Sequence, residues 1–240
     1  MSPAGLVHRL REPEGAPAGA LILNHGRGAD ENDLYPLLDE LDPERLLLGV
    51  TTGAPLIHGA STAAHLDSAS LRLTDVPPGG RHWYLVPRVG YPDARTFADS
   101  YALLGGFLDE LLAEREIAWD RVAIGGFSMG AVMSYAVALG PARPAPAVLL
   151  AFSGFIPNVA GWSAELAGRD SLSVFVHHGR NDPVIPVQFG RTAHELLDAH
   201  GIEHEYVETD AGHAIPPDAL DQASRFVARY VEGLRLKPRR

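Results

Sequence analysis

Short apolar runs alternate along the chain with longer segments in which apolar residues recur every three to four positions. The apolar runs are continuous, as expected for strands that are covered on both faces of a parallel sheet. The periodic segments indicate amphipathic helices. The predicted strands are Leu21–Leu23, Leu46–Val50, Val122–Ile124, Ala147–Phe152, Val174–Val176 and His204–Glu208, and the predicted helices lie near residues 96–116, 129–139, 188–200 and 217–236. This order predicts an α/β fold with a mostly parallel, doubly wound sheet flanked by helices.

One long segment, residues 53–94, breaks this alternation. It has no clear periodicity and is rich in proline and glycine, including the run Pro77-Pro78-Gly79-Gly80. A loop of this length inside a compact domain is usually functional or disordered. We interpret it as a loop-rich insertion beside the functional site, within a single domain that spans residues 1–240.

Composition and charge narrow the class of protein. The chain has 240 residues, 46% of them hydrophobic and 21% charged, which fits one globular domain with a large core. Its net charge of −10 argues against a nucleic acid or an anionic membrane as a partner held by charge. There is no cysteine, which excludes disulfides, thiolate metal sites and a cysteine nucleophile. Neither a signal-peptide pattern nor a membrane-length apolar run is present, so we expect a cytoplasmic location.

The stretch Gly126-Phe127-Ser128-Met129-Gly130 lies between a predicted strand and a predicted helix. The positions two before and two after the serine must be nearly free of side chains, because a strand-to-helix turn of this kind is sharp and crowded. Gly126 and Gly130 meet that need. The stretch therefore predicts that Ser128 is a nucleophile held at the end of a strand. The alternative is an ordinary glycine-rich turn in which Ser128 caps the helix.

A serine nucleophile needs a base and an orienting carboxylate, which in this topology follow it in the order acid, histidine. Asp182 comes after a predicted strand, in a turn held by two prolines, and is the predicted acid. Its rivals are less well placed, because Asp170 precedes that strand and Asp210 is too near the histidine. His213 follows a glycine in the loop after the next strand, and it is the predicted base.

A glycine-flanked turn, Asn24-His25-Gly26-Arg27-Gly28, follows the first predicted strand. It can present the backbone N–H of Arg27, and the N–H of Met129 directly follows the nucleophile. These two groups are the predicted oxyanion hole. The alternative for Arg27 is that its guanidinium reaches an acidic surface group. We expect His25 to brace the turn.

The chain resembles the phospholipase/carboxylesterase group of α/β-hydrolases, which includes the acyl-protein thioesterases and bacterial lysophospholipase-type esterases. The resemblance spans about residues 20–232. It implies an α/β-hydrolase fold and hydrolysis of a carboxylic ester or thioester through an acyl-enzyme, without a metal or a cofactor. It also assigns Ser128 as nucleophile, His213 as base and Asp182 as its partner. The motifs that carry it are His25–Gly28, Gly126–Gly130, Ser153–Pro157, Asp182–Pro186 and Gly212-His213.

The resemblance also indicates residues of a substrate pocket. The loop Ser153–Pro157 resembles the stretch that lines the family's acyl pocket, so Phe155 and Ile156 are candidate walls. Two further candidates are Trp83, which lies where the family has an aromatic residue near the pocket, and Val184, which lies in the turn that carries Asp182. The alternative for such apolar residues is packing in the core or, for the aromatic residues near Trp83, a dimer face.

The chain departs from the family pattern at two places. Met129 stands where members commonly carry glutamine, and residues 57–82 look longer than in the thioesterases. We therefore expect a small soluble ester as substrate. The alternatives are a lysophospholipase or acyl-thioesterase acting on long acyl chains, a lactone-opening hydrolase, and a non-catalytic binding protein on the same fold. A homodimer is possible, and neither nucleic acid nor integral membrane association is expected.

Overall fold

The computed structural model describes residues 5–57, 79–141 and 143–236. Most elements lie where the hydrophobic pattern predicts them. The strands are β1 (His8–Arg11), β2 (Gly19–Asn24), β3 (Leu47–Thr52), β4 (Leu56–Ile57), β5 (Arg81–His82), β6 (Val122–Phe127), β7 (Val148–Phe152), β8 (Ser173–Gly179) and β9 (His204–Thr209). The helices are α1 (Leu37–Leu41), α2 (Ala94–Glu114), α3 (Met129–Leu139), α4 (Gln188–Ala199) and α5 (Pro217–Leu236).

In the described part of the chain, seven strands form one sheet in the order β1-β3-β2-β6-β7-β8-β9. Only the outer pair, β1 and β3, is antiparallel, and the other neighbours are parallel. The carboxyl ends of parallel strands meet at one edge of the sheet. The loops after β2, β6, β8 and β9, which carry the candidate site residues, therefore converge at that edge.

Hydrophobic side chains cover both faces of the sheet. One face packs against α2, α3 and α4, and the other packs against α1 and α5. The strands β2, β3 and β7 are buried along their whole length, which explains their continuous apolar runs. Helix α3 is also buried at every position, so its sequence shows little amphipathic contrast.

Besides β4 and β5, which lie within the segment 53–94, two elements are absent from the sequence prediction. Strand β1 is an edge strand of alternating exposure with a polar sequence, His-Arg-Leu-Arg, so no apolar run marks it. The guanidinium of its last residue, Arg11, is buried, where it pairs with Asp42 and donates to the carbonyl of Leu38 at 2.6 Å. Helix α1 has 5 residues, which is too short to show a periodicity.

Residues 53–94 are the segment that we interpret as an insertion. Part of this segment is joined to the turn after β2 by backbone hydrogen bonds. Strands β4 and β5 pair antiparallel. The N–H of Gly28 donates to the carbonyl of Arg81 at 2.7 Å, and the N–H of Arg81 donates to the carbonyl of Ala29 at 3.0 Å. The middle of the segment, residues 58–78, lies outside the described residues. A single domain over residues 1–240 stays a prediction.

Candidate active site

Ser128 lies at the turn between β6 and α3 with φ 55° and ψ −119°. A positive φ is strained for a residue with a Cβ atom, and such strain concentrates at functional sites. The N–H of Ser128 donates to the carbonyl of Phe152 at 2.8 Å, which anchors the turn. A Cβ atom on Gly126 would lie 2.5 Å from the carbonyl oxygen of Asn24, and one on Gly130 would lie 1.9 Å from the same oxygen. Both positions therefore require glycine.

The structure brings Ser128, His213 and Asp182 together. His213 Nδ1 lies 2.6 Å from Asp182 Oδ2, and His213 Nε2 lies 2.8 Å from Ser128 Oγ. A carboxylate only accepts hydrogen bonds, so Nδ1 carries the hydrogen and Nε2 is free to accept the hydroxyl proton. The Asp182 side chain is fully buried and that of His213 is 17% exposed. This geometry can draw a proton from Ser128 Oγ.

The rival carboxylates take other positions. Asp210 is exposed and pairs with Arg180, Oδ1 to Nη1, at 2.6 Å. Asp170 is exposed and precedes β8. Asp182, the carboxylate chosen from chain order, is the one that contacts His213, and its role as the acid stays a prediction.

The two predicted oxyanion donors flank the same space. Arg27 and Met129 line one cavity together with Ser128. Met129 is the first residue of α3, where a backbone N–H has no acceptor within the helix and the helix dipole is positive. An oxyanion would therefore meet a favourable field beside Met129. The donor roles of Arg27 and Met129 stay predictions.

His25 braces the turn after β2, as expected. Its Nε2 lies 2.9 Å from the N–H of Ala54, which can only donate, so Nε2 accepts and Nδ1 carries the hydrogen. The Nδ1–H group then donates to the carbonyl of Gly26 at 2.6 Å. Burial lowers the pKa of His25, which favours this neutral form. Trp83 adds a third contact, since its Nε1–H donates to the carbonyl of His25 at 3.0 Å.

A cavity of about 510 Å³ opens in front of Ser128. This volume falls within the range of small-molecule sites, roughly 300–1,000 Å³. Two of the predicted pocket residues, Phe155 and Val184, line it. Most of its other side chains are apolar too: Ala29, Tyr84, Val86, Val89, Tyr91, Pro92, Phe127, Met129 and Ile185.

Trp83 and Ile156, the other two predicted pocket residues, are not among those that line this cavity. Trp83 has no exposed surface, and its backbone N–H contacts Met129 Sδ at 3.1 Å while its indole contacts His25. Trp83 therefore contacts two residues of the site, Met129 and His25, without lining the cavity. Ile156 packs against the hydrophobic core. For these two residues the pocket prediction is corrected to a core-packing role.

The sequence prediction missed the turn 88–91, which forms part of the cavity wall. The N–H of Tyr91 donates to the carbonyl of Arg88 at 3.0 Å, and Gly90 has φ 85°, so the glycine occupies the position that a type II turn reserves for it. The guanidinium of Arg88 lies 3.6 Å from the ring centre of Tyr91. On the same cavity, burial and the nearby Asp30 raise the pKa of Asp33.

Comparisons with known proteins identify the family of the chain. A family profile described as Phospholipase/Carboxylesterase matches residues 68–231, more than half of the chain. An acyl-protein thioesterase 1 from Debaryomyces hansenii is 29% identical over 161 residues, covering 63% of this chain and 67% of that protein. The acyl-protein thioesterase 1 homolog 1 of Dictyostelium discoideum is 24% identical, covering 61% and 66%. The chain thus matches about two thirds of the length of these curated relatives.

Solved structures share the fold over nearly the whole chain. The Bacillus cereus carboxylesterase superposes with a TM-score of 0.77 and 19% identity, covering 94% of this chain and 95% of that one. Esterase PE8 superposes with a TM-score of 0.73 and 25% identity, covering 93% and 98%. The chain belongs to the phospholipase/carboxylesterase family of α/β-hydrolases. Family, fold class and assignment to the ester and thioester hydrolases are thereby confirmed.

Proposed function

We propose that the chain is a serine hydrolase that cleaves carboxylic esters or thioesters through an acyl-enzyme. The observation that carries the proposal is the hydrogen-bonded series from Ser128 Oγ through His213 to Asp182, with both links at 2.8 Å or less. A series of this kind on a strained strand-to-helix turn is the arrangement that activates a serine.

In the proposed cycle, His213 Nε2 takes the proton of Ser128 Oγ as the oxygen attacks the acyl carbon. The N–H groups of Arg27 and Met129 stabilise the oxyanion. His213 then gives the proton to the leaving alcohol or thiol, and water repeats both steps to release the acid. Asp182 fixes the imidazole tautomer and stabilises the imidazolium that forms.

For the substrate, we propose a small soluble ester, since a cavity of about 510 Å³ suits a molecule of modest size. One observation favours a long acyl chain as the second candidate. Val89, Tyr91 and Val184 line the cavity and are 38%, 44% and 49% exposed, so they form an apolar rim that could continue an acyl site outward. The curated relatives named acyl-protein thioesterases point the same way.

No helix within the described ranges has the length and hydropathy that crossing a bilayer requires. We propose a small-molecule ester as the partner of the site. The homodimer and the cytoplasmic location stay predictions from the sequence.

The test is hydrolysis of p-nitrophenyl esters of increasing acyl length by the wild type and by Ser128→Ala. We expect activity to peak at short acyl chains and kcat to fall by roughly 10⁴–10⁶ in the variant, the scale seen when a triad serine is removed. Activity that rises toward long chains would favour the second candidate. Turnover that survives in Ser128→Ala would refute the serine mechanism.

A further inference from the structure

The acid turn, residues 182–185, holds its carboxylate by two different sets of contacts. Asp182 Oδ1 accepts the N–H groups of Val184 at 2.8 Å and Ile185 at 2.9 Å. Asp182 Oδ2 accepts from His213 Nδ1 at 2.6 Å. One oxygen is therefore anchored to the backbone of the turn while the other faces the base. The direction of Oδ2 depends on where the Ile185 backbone lies.

His178, the next-to-last residue of β8, fixes that part of the backbone. Its Nε2 lies 2.8 Å from the carbonyl oxygen of Ile185, and because a carbonyl only accepts, Nε2 carries the hydrogen and donates. Burial lowers the pKa of His178, so the ring is neutral near pH 7. Ile185 is thus bonded on both sides, through its N–H to Asp182 and through its C=O to His178.

The ring of His178 has little room to move. Its side chain is fully buried, and Nε2 lies 3.7 Å from Asp182 Oδ2, which is too far for a hydrogen bond but close enough for a charge to matter. On the other side, a Cβ atom added to Gly190 of α4 would lie 2.8 Å from His178 Nδ1. The imidazole therefore fills the space between the acid turn and the first turn of α4.

We propose that His178 is a positioning residue for the catalytic series. Its neutral ring donates to the carbonyl of Ile185 and so fixes the acid turn. The fixed turn then directs Asp182 Oδ2 at His213 Nδ1. His178 contacts neither the substrate site nor the reacting serine. Neutrality matters, because a cation at His178 would compete with His213 for the same carboxylate. The inference rests on the proposed function, since it assigns a role relative to that series.

Three variants separate this role from simple packing. His178→Gln keeps an N–H donor near the place of Nε2, whereas His178→Leu removes the donor at similar volume. Gly190→Ala pushes the ring from the side of α4 and leaves every residue of the acid turn unchanged. The matched control is His177→Leu, which removes the neighbouring buried histidine. His177 does not bond to the acid turn, because its Nε2 lies 2.9 Å from Thr209 Oγ1.

Two readouts are needed: kcat and KM with a p-nitrophenyl ester, and the low-field proton NMR signal of the His213 Nδ1–H group. The loss of that signal in Asp182→Asn assigns it. We expect His178→Leu and Gly190→Ala to lower kcat by on the order of 10- to 100-fold with little change in KM, the scale of a small misplacement of a catalytic group. Both should also shift or broaden the signal. His178→Gln should keep the signal and most of kcat.

The control His177→Leu should lose thermal stability but keep the signal. A folded His178→Leu with the wild-type signal and wild-type kcat would overturn the inference. So would equal losses of kcat in His178→Leu and His177→Leu with the signal unchanged in both, because that pattern means packing alone. If the wild type hydrolyses no ester, the proposed function fails, but the NMR signal still decides whether His178 positions Asp182.

Discussion

The floor and the mouth of the candidate site are built in different ways. The floor consists of the hydrogen-bonded series Ser128–His213–Asp182 and of the nucleophile turn, where glycines let backbone approach backbone, as Gly126 and Gly130 do against Asn24. The mouth is an apolar rim of partly exposed side chains, including Val89 and Val184. A backbone contact leaves no room for even a methyl group, whereas a rim side chain can change and still leave a cavity. The floor should therefore determine whether the chemistry occurs, and the mouth which substrate enters.

The largest effect should come from the floor. We expect Asp182→Asn to lower kcat by on the order of 10⁴, because an amide at this position favours the wrong imidazole tautomer. Asp210→Asn is the matched control, since Asp210 is exposed and pairs with Arg180. Steady-state kinetics on one p-nitrophenyl ester measures both. Equal activity of the two variants would show that the carboxylate contact does not matter.

Gly130→Ala tests the floor without touching a catalytic side chain. Because the added methyl would lie 1.9 Å from a backbone oxygen, we expect a loss of about 3 kcal/mol or more in the free energy of unfolding, or no folded protein. Gly106→Ala is the control, because Gly106 is exposed in α2 and a Cβ atom there meets nothing within 4 Å. It should stabilise the protein by about 0.5–1 kcal/mol. A Gly130→Ala variant as stable as wild type in urea titration would contradict the backbone contact.

The same contrast explains what the sequence could predict. The floor was predictable, since a strained turn demands glycines and the order serine, acid, histidine follows from the topology. The mouth was predicted only in part: Val184 was named, but residues 83–92 show no periodicity that tells a cavity side chain from a core side chain. Trp83 was placed at the pocket on the family resemblance, yet its indole points to a backbone carbonyl behind the site. The bond between His178 and Ile185 leaves no sequence signal either.

His177, a buried histidine of β8, should make the free energy of unfolding depend on pH. Burial lowers the pKa of His177 from 6.5 to about 4, so the folded protein keeps it neutral while the unfolded chain binds a proton below pH 6.5. The stability that His177 contributes is therefore present above pH 6.5 and is lost as the pH falls toward 4. By linkage we expect a loss on the order of 2 kcal/mol between pH 7 and pH 5.

Urea unfolding of the wild type and His177→Gln at both pH values measures this effect. The variant should show a shallower pH dependence. His200→Gln is the control, because His200 is exposed at the end of α4 and should leave the dependence unchanged. A dependence as steep in His177→Gln as in the wild type would contradict the assignment.

The smallest expected effect lies at the mouth. Val184→Ser should lower kcat/KM for long-chain esters by about 5- to 10-fold and leave short-chain esters nearly unchanged, because only a long chain reaches the rim and loses apolar contact there. Val7→Ser is the control, as Val7 is 43% exposed but does not line the cavity. A uniform loss over all chain lengths would mean that Val184 supports the acid turn rather than substrate choice.

The central claim is that Ser128 is a nucleophile activated by His213 and Asp182. The most direct measurement is the rate of labelling by a fluorophosphonate, with the modified residue located by peptide mass spectrometry, in the wild type and in His213→Gln. The account predicts rapid labelling of Ser128 in the wild type and labelling slower by orders of magnitude in the variant. A folded wild type that is not labelled at Ser128, or is labelled equally fast in both proteins, would contradict it.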